Sequence, residues 1–217
     1  MRYLHVPLVF LTALLLLVGC ATPDDPVLAA VHRVFFPNPK VSAPARLDPR
    51  YHLLRISMNG SHFFLLSTST TREPAEIWFS GTGEVLRLCG GRLCGASGLP
   101  IEWRQVVIPS MPTWSTLANM TTVYTWQRQR DVMPGYRFGV TDHLSLHSIP
   151  APTSSDLTGV NPTTLHWFEE IDLNPNEPLP PTDYAVDLTQ QQVVYSHTCL
   201  SLTFCFSWQR WPTHPGQ

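Results

Sequence analysis

The sequence predicts an all-β domain, an antiparallel meander that closes as a barrel-like unit or a sandwich. Three observations predict it. From residue 51 onward, apolar and β-branched residues fall in short runs at near-regular spacing. Gly, Pro and Asn turns separate the runs, and 21 prolines leave few windows for a long helix. Hydrophobic residues make up 43% of the 217 with a formal net charge of only −2, which excludes disorder over most of the chain. The 14 Lys and Arg are scattered among 16 Asp and Glu without a basic stripe, so no nucleic-acid partner is expected. The charged fraction of 14% lies well below the roughly 25% of ordinary soluble chains, which points to a special environment or fold.

Residues 1–19 read as a signal peptide. Arg2 is the one formal side-chain charge before the apolar run Val6 to Val18, which is too short to span a bilayer comfortably. The run ends Leu17-Val18-Gly19-Cys20 and resembles a bacterial lipobox, in which the cysteine takes lipid and becomes the new N-terminus. Cys20 is therefore the expected lipid-attachment site, and several acyl chains on it would hold the protein durably. By analogy with lipoprotein sorting, Ala21 rather than an aspartate favours the outer membrane, periplasmic face. Pro23, Pro26, Pro37, Pro39 and Pro44 make residues 20–45 an extended tether, within which Val27 to Phe36 is apolar enough to dock as one short helix or strand. The β domain occupies 46–211 and a tail 212–217.

Within the domain, Tyr51–Met58 and His62–Ser67 flank Asn59-Gly60, the strongest short hairpin signal. Ala75–Ser80 passes through Gly81-Thr82-Gly83 into Glu84–Cys89, which turns at Gly90-Gly91 and returns as Arg92–Ala96. Ile101–Ile108 is closed by Pro109 and Pro112. Thr121–Arg130 turns at Met133-Pro134-Gly135 into Tyr136–Ser148. Pro150–Pro162 and Pro175–Pro181 read as loops, and Thr163–Asp172 is ambiguous between strand and short helix. Tyr184–Leu188, Gln192–Ser196 and Ser201–Trp208 finish the sheet. The strand lengths, with Pro109 and Pro112, argue against a membrane-spanning barrel.

With Cys20 set aside, Cys89, Cys94, Cys199 and Cys205 remain, an even number that suggests disulfides in an exported chain. The Gly-Gly turn brings Cys89 near Cys94, and Cys199 and Cys205 would close a second short loop; cross-pairing between the loops stays open. A metal site would need all four thiolates together, and neither spacing is a zinc knuckle, so no metal is expected.

No catalytic residue stands out. Gly95-Ala96-Ser97-Gly98 lacks the nucleophile-elbow spacing. Glu169, Glu170 and Asp172 are the densest acidic group, but adjacent strand residues point to opposite faces, and solvated charge at a strand end is the expectation. His143 and His147 share a strand face yet lie too far apart for one metal. The seven tryptophans fill a β interior or stack on sugar rings; Trp114, in an expected loop, is the candidate exposed platform for polysaccharide. Arg128, Arg130 and Arg137 flank the Met-Pro-Gly turn and are candidate contacts for an acidic polymer or a partner, or solvated strand ends.

Several stretches carry a family resemblance. They are Leu47-Asp48-Pro49-Arg50-Tyr51 through Asn59-Gly60, Glu76-Ile77-Trp78-Phe79-Ser80 with Gly83-Glu84-Val85-Leu86-Arg87, and Gly91-Arg92-Leu93 with Gly98-Leu99-Pro100. Asp131-Val132-Met133-Pro134-Gly135-Tyr136-Arg137 and Tyr184-Ala185-Val186-Asp187-Leu188 before Val193-Val194-Tyr195-Ser196 complete them. In this order, beside the lipobox, they resemble the GfcB/YjbF lipoproteins of capsule and exopolysaccharide systems over most of residues 46–211. The resemblance implies an outer-membrane lipoprotein with a periplasmic β domain; no enzymatic activity is established for the family, so no catalytic residue is carried over, and no cofactor is expected. It implies work with an outer-membrane β-barrel export protein and a periplasmic companion. The two cysteine loops are not part of the resemblance.

Overall fold

The computed structural model describes residues 52–67 and 75–211. The signal peptide, Cys20, the tether at 20–45 with its Val27 to Phe36 segment, and the tail at 212–217 lie outside the described residues.

Twelve antiparallel strands form one closed barrel in which each strand pairs with its sequence neighbours. They are β1 (His52–Met58), β2 (Ser61–Ser67), β3 (Glu76–Phe79), β4 (Val85–Cys89), β5 (Arg92–Ser97) and β6 (Glu102–Val107), then β7 (Tyr124–Met133), β8 (Arg137–Ile149), β9 (His166–Asp172), β10 (Thr182–Asp187), β11 (Gln192–Cys199) and β12 (Cys205–Trp211). A short helix, α1 (Trp114–Ala118), interrupts the β6–β7 connection. The seam is closed by β1 on β12, from Leu53 opposite Trp211 to Ser57 opposite Ser207. Barrel closure, not a sandwich, is the outcome.

The turns form where the residues permit positive φ. Asn59 and Gly60 sit at φ 50° and 75°, and Gly90 and Gly91 at 57° and 79°, the backbone that matches the twist of tight hairpins. Gly91 is constrained twice, because a Cβ there would lie 2.3 Å from the Val193 side chain.

Alternation along the strands sends Leu54, Ile56, Leu65, Trp78, Leu88, Trp103, Phe168 and Trp208 into one interior core. The apolar positions thus face inward, the reverse of the lipid-facing band of a membrane barrel. A second cluster, Trp167, Ala185 and Tyr195, lies outside the barrel wall under Ala151, Leu157 and Leu165. The β8–β9 loop holds this cover in place. The Asp156 carbonyl accepts from Arg55, Ser207 Oγ donates to the Asp156 carboxylate at 2.8 Å, and Thr158 N–H donates to Gln209.

Three expectations change in the structure. Thr163–Asp172 resolves into a single 3-10 turn at Pro162–Thr164 followed by β9. Strand β12 begins only at Cys205, since Cys199 to Cys205 is spent on a hairpin loop. The expected loop after Pro112 contains α1, capped by Thr113, whose hydroxyl accepts from the Thr116 N–H.

Candidate functional site

Strands β7, β8 and β9 each put a charged residue on the barrel's inner face. Arg128 and Asp142 are directly opposite in register. Asp142, fully buried, accepts from Arg128 Nε at 2.9 Å and from Arg130 Nε and Nη2 at 2.7 and 2.9 Å. Arg128 also reaches Glu170 Oε1 at 3.5 Å. Both guanidiniums lie over the Trp103 ring, 4.5 and 4.8 Å from its centroid. The Trp103 N–H in turn donates to the Leu200 carbonyl at 3.1 Å. Burial alone would raise the Asp142 carboxyl, but the Arg130 hydrogen bond and the Arg128 charge hold it below the usual carboxylate range. Burial pushes Glu170 up despite the pull of Arg128 and Arg92. Burial, with Glu170 close by, also pushes the Tyr184 hydroxyl up.

Arg128 and Arg130 are therefore neither solvated strand ends nor surface contacts. Each is about 6% exposed and committed to an interior ion cluster. The acidic group is corrected the same way. Glu170 and Asp172 are buried, with Asp172 accepting from the Asn174 and Leu179 N–H groups. Glu169 stays on the outer face, 3.6 Å from His147.

Trp114 is no platform. It is 5% exposed, pointing from α1 into the core, where its ring meets Phe168 and Tyr184 at 5.1 and 5.4 Å. Its indole N–H donates to the Gly90 carbonyl, and Arg92 stacks on it at 3.9 Å. Arg92 Nε and Nη2 and Glu170 Oε2 find no hydrogen-bond partner within the protein. Six of the seven tryptophans are buried, and Trp211 is half-buried against Phe64 at 6.2 Å. The aromatic groove that would stack on sugars is not formed by these tryptophans. Beside α1 a small pocket of about 150 Å³ opens between Met120, Val123, Tyr124, His147, Ser148 and Phe168.

Arg137 is exposed, paired with Glu177 at 3.3 Å beside the β7–β8 turn. The turn has a cis Met133–Pro134 bond, and Tyr136 and Phe138 beyond it are 76% and 66% exposed. In an up-and-down barrel the connections alternate between two ends. This turn, Leu173 and Leu202 share the end away from α1 and from the point where the chain enters β1. Both disulfides are local: Cys89–Cys94 closes the β4–β5 hairpin and Cys199–Cys205 the β11–β12 hairpin. His143 and His147 share β8 but find separate partners, Gln127 and Glu169.

No protein-family model matches the sequence, and no curated protein matches it. A solved structure does. The chain is similar in fold to the hypothetical lipoprotein YmcC of Escherichia coli K12. The match has a TM-score of 0.57 at 15% identity and covers 85% of this chain and 95% of YmcC. At that identity the likeness shows a shared fold. The similarity spans most of both chains.

Proposed function

We propose that the protein is a lipid-anchored, non-enzymatic accessory of capsule or exopolysaccharide export, held at the periplasmic face of the outer membrane by Cys20. It acts by docking to an outer-membrane β-barrel partner, with a periplasmic companion of the same system. The observation that carries this reading is the barrel interior. Asp142 and Glu170 are buried against arginines and six of the seven tryptophans are packed, which favours a docking role over one in cutting or stacking on sugar. What is left for function is surface. The exposed Tyr136 and Phe138, with Arg137, project from the end opposite the chain's entry and offer an apolar patch of the kind that docks a partner. The lipobox and the shared fold with a lipoprotein support the anchored placement.

The test is genetic. A deletion strain should lose surface polysaccharide and regain it with the wild-type gene but not with Cys20→Ala. Normal output in the deletion strain would sink the reading.

A further inference from the structure

The β11–β12 hairpin brings together three soft or borderline metal ligands. An imidazole nitrogen of His197 and the sulfurs of Cys199 and Cys205 all lie within 4.8 Å of one another. The register explains this. Cys199 is opposite Cys205, and His197, two residues earlier, rises on the same face of β11. Two thiolates and an imidazole around a tetrahedral zinc, with bonds of about 2.3 and 2.0 Å, stand a little under 4 Å apart, so small side-chain rotations suffice. His197 and Cys205 are half-buried, which leaves an approach from solvent, while Cys199 is buried.

The surroundings suit a cation. Asp183 is directly opposite His197 on β10, and Glu169 is directly opposite Asp183 on β9. A carboxylate beside a ligating imidazole orients the ring and raises its basicity, the usual support of a histidine–metal bond. The Cys89–Cys94 pair is not part of such a grouping among the described residues.

We propose that reduction of the Cys199–Cys205 disulfide turns this hairpin into a Cys2His site for zinc or another thiophilic divalent cation, with the fourth position open. The reductant is a dithiol of the thioredoxin-like class. It gives two electrons and two protons to the S–S bond, leaves as its own disulfide, and yields two thiols. The divalent ion then displaces both thiol protons and takes the imidazole nitrogen as third ligand. The hairpin thus trades one cross-link for another, keeping Leu200 in the core and its carbonyl on Trp103.

The experiment uses the full mature chain reduced under anaerobic conditions, freed of reductant, and titrated with Cd2+ and then Zn2+. Cadmium–thiolate charge-transfer absorbance should grow to one ion per chain, in the wild type and equally in Cys89→Ser/Cys94→Ser. His197→Gln should weaken binding about tenfold or more, without changing the circular dichroism of the disulfide form. Three results would overturn the site: no ion bound, binding unchanged in His197→Gln, or binding lost in the Cys89→Ser/Cys94→Ser variant. Should that double variant fail to fold, Cys199→Ser/Cys205→Ser decides, since it must abolish the cadmium band.

Discussion

Arg128 on β7 and Asp142 on β8 stand opposite each other on neighbouring strands of the barrel's inner face, joined Nε to Oδ2 at 2.9 Å with almost no exposure of either. Asp142 also holds Arg130, so one carboxylate carries two guanidiniums. Asp142→Asn should therefore destabilise the domain by about 3–5 kcal/mol, the cost of leaving buried charge without its counter-charge. Urea unfolding measures it; a loss under 1 kcal/mol would mean that water already reaches the pair.

Glu170 carries the opposite sign. Its folded pKa lies above the unfolded value of about 4.3, so its charged form costs stability at neutral pH. That cost disappears as pH falls through the folded pKa. Asp142 has a depressed pKa, and its contribution is lost only as pH falls through that still lower value. The stability of Glu170→Gln minus that of wild type should therefore shrink as pH falls from about 7 to about 4. A difference that stays constant over this range in thermal melts would contradict the burial.

Trp114 and Tyr136 make a matched contrast. Trp114→Ala removes a core ring and leaves Arg92 unstacked, at a cost of about 3–5 kcal/mol. Tyr136→Ser, at a position 76% exposed, should change stability by no more than about 0.5 kcal/mol. Chemical denaturation of the two variants side by side would reveal the reverse order if Trp114 were a surface platform.

Each disulfide closes a short loop, with sequence separations of 5 and 6. Loops of that size confine the unfolded chain modestly, so losing either bridge should cost about 2 kcal/mol. Cys89→Ala/Cys94→Ala and Cys199→Ala/Cys205→Ala should each lower the urea midpoint. A collapse of the fold from either alone would show that the bridge stores more than loop entropy.

The meander was legible because turn chemistry is local. Asn59-Gly60 and Gly90-Gly91 announce hairpins whatever the rest of the chain does. Helix α1 was not, since five residues after a Pro-rich stretch carry no periodic signal beyond the Thr113 cap. The charged interior was misread although a signal was present. Arg128 and Arg130 alternate in phase with Trp126 and Val132, and Glu170 with Phe168, so strand parity already placed these charges inward. Partners far along the chain, such as Asp142, decide whether inward charge can be tolerated, and a local reading does not see them.

The docking claim is tested most directly by affinity capture from detergent-solubilised outer membranes, comparing wild type with Tyr136→Ser/Phe138→Ser. Wild type should retain a stoichiometric outer-membrane β-barrel protein, reduced about tenfold or more in the double variant, whose stability stays within about 1 kcal/mol of wild type. Recovery of the lipoprotein alone, or equal capture by both, would contradict the docking claim.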